Sequence, residues 1–257
     1  FQGRSIDLGN EVILNNNSFF TNYSDGMIIK YDKDGRAQWA KGIGEKDDEN
    51  IKLVVPTRDG GYIVGGYFES SSIDLGNGVI LNNNSSSTNY CDGMLIKYNE
   101  DGEAQWAKGI GGEGYNNDSI SSVAETSDGE IIAGGYFQSS GIDLGNGVTL
   151  TNSASEDGMI IKYSPKEVPE IVTKQAKGIG ETKNDKITSV IGTSDGGYIA
   201  AGNFESESIE LENGTVITNN GGEDGIIIKY DMQGTIEWVR KIGGNDNEQI
   251  NAMIETN

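Results

Sequence analysis

The sequence predicts an all-β protein, a β-propeller of four blades of about 67 residues each. Three observations lead there. One motif recurs four times: DGMIIKY starts at Asp25, DGMLIKY at Asp92, DGMIIKY at Asp157 and DGIIIKY at Asp224, in steps of 67, 65 and 67 residues. Each copy divides into short β-rich segments separated by Asp- and Gly-containing turns. No stretch holds a helical period, although SPKEVPEIVTK in the third copy is ambiguous. The repeat units run approximately 1–47, 48–115, 116–183 and 184–257, in a single domain spanning 1–257.

Within a unit the first segment, a, is rich in Ile and Val, as in Ile120 to Thr126 or Ile187 to Thr193. An Asp-Gly turn joins it to segment b, Tyr62 to Phe68 and its copies. The paired glycines of b, Gly65-Gly66 and Gly134-Gly135, weaken an ordinary strand and make sense where backbones crowd together. Next comes IDLGNGVILNNN, whose Gly-Asn-Gly centre between apolar residues predicts an extra β-hairpin between the second and third strands. Segment c, Met27 to Tyr31 and copies, is β-branched and ends in Lys-Tyr. Segment d carries Trp39, Trp106 and Trp238, with Gln175 in the third unit. A Gly-rich, acidic stretch leads back to a. Radial repetition of such four-stranded units hides sheet edges, and the unit is longer than the ~20–50 residues of most solenoid coils. The Pro165–Pro169 insertion should distort the outer hairpin of the third unit.

The ends of the chain fall inside a unit. Segments a, c and d occur four times, whereas b occurs in full three times. The chain ends at IETN, where Asp-Gly-Gly should follow, and opens with Phe1-Gln2-Gly3, which matches the tail of b at Phe137-Gln138. The expectation is a blade shared between the termini, with an Ile250–Thr256 strand beside the first c and d strands. Residues 1–5 also resemble a protease-site scar, and with no initiating Met the chain reads as a mature form or an excised piece. A monomeric ring is expected over a ring of two chains.

The string TSDGGYI, GGYF, SIDLGNGV, DGMIIKY, QWAKGIGG, read around one unit, resembles the SBBP-type β-propeller repeats of bacterial secreted and cell-surface proteins. The resemblance covers nearly the whole chain. It implies a propeller blade and an extracellular or cell-surface setting, and it transfers no catalytic residue.

Composition narrows the function. Nineteen Lys and Arg against forty Asp and Glu give a net charge of −21, which opposes nucleic-acid binding. The chain has no His, so His-based triads, ligands and acid–base steps are excluded. A single Cys, Cys91, forms no internal disulfide; its copies are Ser24, Glu156 and Glu223, which predicts an exposed position. No apolar run approaches the ~20 residues of a membrane span.

Candidate site residues come in two groups. The b–c loops of the first two units are longer than those of the other two and hold aromatic residues among Asn and Ser. Phe19, Phe20, Tyr23 and Tyr90, with Tyr115 in a d–a loop, are candidates for ligand binding, because exposed aromatics in polar loops suit recognition. Asp32 and Asp34, with Asp47 and Asp48, offer oxygens for calcium, although neither run follows a full calcium loop. The competing reading is that recurring acids such as Asp7, Asp74, Asp143 and those opening c cap turns. Lys30, Lys97, Lys162 and Lys229 are read as equivalent salt bridges, and the repeated Trp as packing between blades.

The function expected is a non-enzymatic, extracellular binding or scaffold module that presents loops to a glycan or protein ligand. The alternative is a purely structural spacer or oligomerisation unit. A carboxylate-dependent glycoside hydrolase is the remote third reading. No cofactor is expected beyond calcium.

Overall fold

A computed structural model of the chain describes residues 1–16, 23–85, 89–153, 155–165 and 171–256. The described elements are all β-strands. β1 (Ser5–Asp7) and β2 (Ile13–Asn15) form a small hairpin, and β3 (Gly26–Tyr31) pairs with β4 (Ala37–Ile43). Then come β5 (Glu49–Pro56), β6 (Tyr62–Phe68), the hairpin β7 (Ser72–Asp74) and β8 (Ile80–Asn82), β9 (Asp92–Tyr98) and β10 (Ala104–Ile110). The third unit holds β11 (Asp118–Glu125), β12 (Ile131–Phe137), the hairpin β13 (Gly141–Asp143) and β14 (Thr149–Thr151), β15 (Asp157–Pro165) and β16 (Ile171–Ile179). The fourth holds β17 (Asp185–Gly192), β18 (Tyr198–Phe204), the hairpin β19 (Ser208–Glu210) and β20 (Val216–Thr218), β21 (Asp224–Tyr230) and β22 (Ile236–Ile242). Three antiparallel sheets result, β5-β6-β9-β10, β11-β12-β15-β16 and β17-β18-β21-β22, each in the order a-b-c-d. The predicted extra hairpins are present in all four units.

Three of the hairpins turn where Gly76, Asn77 and Gly78, or their copies Gly9-Asn10-Glu11 and Gly145-Asn146-Gly147, take positive φ, and in the fourth Gly214 alone does. The turn asparagine then reaches sideways: Asn10, Asn77 and Asn146 donate to the carbonyls of Ala37, Ala104 and Thr173 at 2.9, 3.0 and 3.1 Å. Leu14, Leu81 and Leu150 bury the hairpins against the sheets.

Sheets pack face to face through three apolar layers. One joins Ile28 and Ile43 to Val64 and Met94, one joins Ile63 and Leu95 to Ile120 and Ile161, and one joins Ile132 and Ile160 to Ile187 and Ile228. Each layer therefore lies between consecutive units. Coverage on both faces leaves every residue of β9 buried, whereas β5 after Glu49 alternates between half-buried and exposed.

The glycines of b have a local cause. A bulge in a, between Ile51 and Leu53 and at its copies, pushes a carbonyl over the neighbouring strand. A Cβ on Gly66, Gly135 or Gly202 would stand under 3.0 Å from the carbonyl oxygen of Asn50, Ser119 or Lys186. The preceding glycine answers a different demand. A Cβ on Gly134 would meet Ile187 and Val190 of the next unit under 3.0 Å, and the fourth unit, with another neighbour, carries Ala201 there.

The distortion expected at the Pro165–Pro169 insertion falls mostly on residues 166–170, which lie outside the described part; up to them the pairing runs on, Ser164 with Val172 and Pro165 with Ile171, beyond the Lys-Tyr at which the other c strands end. One expectation needs correction. The blade shared between the termini does not form. Residues 243–256 carry no strand, and β3–β4 stays two-stranded. Instead Ile250 lies over Gly225, as Ile51, Ile120 and Ile187 lie over Gly26, Gly93 and Gly158. Its N–H donates to Asn203 Oδ1 at 2.7 Å, and its carbonyl accepts from Thr188 Oγ1. The segment is thus docked by side chains on the fourth unit, with no neighbouring b strand to ladder its backbone. At the other end Phe1 holds the register place of Phe68, Phe137 and Phe204. Its carbonyl accepts from Asp25 N at 3.1 Å and from Asn16 Nδ2 at 3.0 Å, as the Phe68 carbonyl accepts from Asn83 Nδ2 at 3.0 Å.

Candidate ligand-binding site

The b–c and d–a connections share one end of the sheets, where the acids opening segment c are buried. Asp92, Asp157 and Asp224 accept from the backbone N–H of Asn84, Ser153 and Asn220 at 2.7, 2.9 and 3.0 Å, so they do cap the b–c loops. A second acid faces them from the next a strand. Asp118 accepts from Gln138 N and Ser139 N at 2.9 and 3.2 Å and from Ser139 Oγ at 2.5 Å, and Asp185 is held alike by Glu205 and Ser206. The two carboxyls crowd the glycine that ends d: a Cβ on Gly180 would stand under 3.0 Å from both Asp157 and Asp185. Desolvation, and then the neighbouring acid, push Asp92 up to about 7 and Asp157 up to about 6. Burial pushes Glu49, the equivalent of Asp118, up to about 7, and Asp25 adds to it. Asp92 and Asp118 are fully buried, so a substrate does not reach them. Sequence reading missed Glu49, Asp118 and Asp185 as a set. The signal was present, an acid two residues before each a-strand isoleucine.

Above this layer, Tyr90 and Tyr115 meet edge to face, ring centroids 5.5 Å apart at 67°. Tyr115 is 69% exposed. Ser85 Oγ donates to the Gly114 carbonyl at 3.5 Å, which ties the two loops, and Asn83 Nδ2 donates to the Tyr90 carbonyl at 3.4 Å within the b–c loop. The Tyr115 loop also walls an open cleft of about 540 Å³, lined by Asn84, Glu113, Ser140 and Asp143 with Gly111, Gly112 and Gly141. An aromatic pair beside amide, hydroxyl and carboxylate groups can stack a flat apolar face and bond its polar rim. Sequence reasoning named Asp143 only as a turn cap and did not name the other cleft residues, because the cleft comes from two units.

The other candidates separate. Phe19 and Phe20 lie outside the described residues. Tyr23 is half-buried. Asp32 Oδ1 takes the N–H groups of Asp34 and Arg36, each at 2.9 Å, which closes its turn. Asp34 pairs with Lys33 at 3.1 Å, Asp47 N donates to Ser70 Oγ at 3.2 Å, and Asp48 Oδ1 accepts from Ser24 N at 2.6 Å. Among the described residues no group of three or more acids, Cys or His could hold a metal ion. Cys91 is a correction: it is buried, with Sγ 3.5 Å from Asn117 Oδ1 and 3.6 Å from the Asp118 carbonyl. Burial pushes its thiol up to about 12. Its position precedes c, and its carbonyl accepts from Asp118 N of the next unit at 2.8 Å, which draws the side chain under that unit.

Three of the four c-strand lysines form salt bridges: Lys97–Asp59 at 2.7 Å, Lys229–Asp195 at 2.9 Å and Lys162–Glu130 at 2.5 Å. Their partners sit in or just after the a–b turn. Lys30, with no a–b turn in its own unit, donates to the Glu100 carbonyl of the next at 2.9 Å. Trp39 also packs between units: its Nε1–H donates to the Glu100 carbonyl at 3.1 Å, and its ring covers Gly102. The a–b end of the sheets holds a second cavity of about 510 Å³, lined by Val55, Pro56 and Arg58 with Val123, Glu125, Val190 and Ile191, at equivalent places on β5, β11 and β17.

No family model matches the chain. The chain is similar to the regulatory protein FlaEY of Caulobacter vibrioides, at 24% identity over 222 residues, which is 83% of this chain and 22% of that protein. The chain thus spans less than a quarter of the length of that relative.

Proposed function

We propose that the chain is a β-propeller segment of SBBP type, and that it works as a non-enzymatic, extracellular binding module on the bacterial cell surface. The three a-b-c-d sheets support the blade reading, as do the three a strands that meet at one cavity. The single observation that carries the binding role is the exposed Tyr90–Tyr115 pair beside the Asn84–Asp143 cleft. Tyr90 recurs as Tyr23 and Asp143 as Asp7 and Asp74, but Tyr115 lies in a d–a loop two residues longer than those of the other units and has no counterpart there, and a recognition site needs such asymmetry. The ligand is a glycan, whose ring stacks on Tyr115 and whose hydroxyls meet the cleft; a protein loop is the second choice.

A glycan array, with a matrix-protein panel beside it, tests this. Wild type should bind a restricted set of glycans. Tyr115→Ala should weaken binding about tenfold or more while leaving the melting temperature in place, because the side chain is mostly outside the core. Binding that survives Tyr115→Ala unchanged, or binding to neither panel, removes the reading and favours a structural spacer.

A further inference from the structure

Lys52 and Lys186 stand where the repeat copies differ. Lys52 fills the bulge position that Ser121 and Thr188 fill in β11 and β17. Lys186 fills the place of Asn50 and Ser119. Both come to one ring. Lys52 Nζ is 5.3 Å and Lys186 Nζ 5.1 Å from the Tyr136 centroid, and Lys52 Nζ is also 5.5 Å from the Tyr67 centroid. In a chain of net charge −21, two ammonium groups share one tyrosine.

Their compensation is incomplete. Lys186 pairs with Glu156 at 2.8 Å, and Gln138 Nε2 holds the other oxygen of that carboxylate at 3.2 Å. Lys52 Nζ donates to Ser119 Oγ at 2.9 Å and forms no ion pair among the described residues. Burial holds its ammonium below the ordinary lysine range, and Lys186 adds to that effect. Glu156 also acts on Lys52 from a distance, and Glu69 and Asp48 act on Tyr67 without contacting either ammonium group. The immediate group of Lys52, Lys186 and Glu156 therefore carries one unmatched positive charge, with two half-buried tyrosines around it.

We propose that Lys52, Lys186, Tyr67 and Tyr136 form a site for the carboxylate of a singly charged ligand, either a free small carboxylic acid or a uronic acid unit of a glycan. One monoanion neutralises the excess charge and joins both ammonium groups. A dianion leaves a net negative charge in a chain that is already strongly acidic, so phosphate and sulfate fit less well. The site is separate from the Tyr90–Tyr115 pair and is tested without it.

The experiment is calorimetric titration of the whole chain at low ionic strength with acetate, D-glucuronate, D-glucose and sulfate. One equivalent of a carboxylate should bind, glucose should not, and sulfate should bind more weakly than the carboxylate. Glucuronate tighter than acetate identifies the sugar acid as the source, and equal affinity identifies the free acid. Lys52→Gln and Lys186→Gln should each weaken binding about tenfold or more, because each leaves a bound charge unpaired. Lys52→Arg should retain binding, and so should Lys183→Gln and Tyr115→Ala. The proposal falls if neither carboxylate binds, if glucose or sulfate binds as well as glucuronate, or if Lys52→Gln binds like wild type. Melting curves of each variant establish that a loss of binding is not a loss of fold.

Discussion

The second junction, between β6 and β11, and the last, between β18 and the segment around Ile250, use the same contacts to different ends. At both, an isoleucine lies over the glycine that opens segment c: Ile120 over Gly93 and Ile250 over Gly225. At both, the backbone after segment d is bonded to the residue before c, Asp118 N to Cys91 O at 2.8 Å and Glu248 N to Glu223 O at 2.7 Å. Only at the former does a strand follow, because β12 is there to pair with β11. Docking between units is therefore written in side chains and one backbone bond. Strand formation is written in the neighbour within the sheet.

The largest effect that separates the two kinds of contact comes from glycine. Gly135→Ala sets a methyl against the Ser119 carbonyl inside the sheet, where backbone must move, and should cost about 3 kcal/mol in urea unfolding. Gly225→Ala meets the end of the Ile250 side chain, which can turn aside, and should cost about 1 kcal/mol or less. Equal losses would mean that the last junction is as rigid as the others.

Next in size is tryptophan. Trp39→Ala removes a half-buried ring and its bond to the Glu100 carbonyl, at a cost of about 2 kcal/mol. Trp238 occupies the same strand position, is 37% exposed and stacks on Arg240 of its own strand, so Trp238→Ala should cost about 1 kcal/mol.

A third effect, spread over several groups, is a slope with pH. In the unfolded chain Asp92 and Asp157 lose their protons near 3.8, but in the folded chain only near about 7 and about 6. Between those values the folded state holds more protons, so stability falls as pH rises from about 4 to about 7. Glu49 acts the same way between 4.5 and about 7. Asp92→Asn keeps the acceptor for Asn84 N and discards the buried charge. It should raise the melting temperature at pH 8 and flatten the slope between pH 4 and 7, whereas Asp32→Asn at an exposed turn should leave that slope as it is. A melting temperature that climbs steadily from pH 4 to 8 in wild type would contradict the buried pairs.

Much of this architecture was legible because repetition multiplies weak signals. A single DGMIIKY says little; four at nearly equal steps fix the unit, and Gly-Asn-Gly fixes the extra hairpin. The site was legible in part. Tyr90 and Tyr115 stood out as aromatics in polar loops, and the fold brings them together. Asn84 and Ser140 did not stand out, and Asp143 did so only as a turn cap, since each is an ordinary polar residue until two units adjoin. Cys91 misled because its copies are polar, yet Glu156 at the same place is also buried.

By itself the sequence determined the all-β class, the a-b-c-d order and the turns, because these depend on local alternation and on residues that tolerate positive φ. Only the tertiary structure decided which carboxylates face each other, which lysines share Tyr136, and whether Ile250 joins a sheet or merely rests on one. Those outcomes depend on distances between residues about 67 positions apart, and such distances exist only once neighbouring units have stacked.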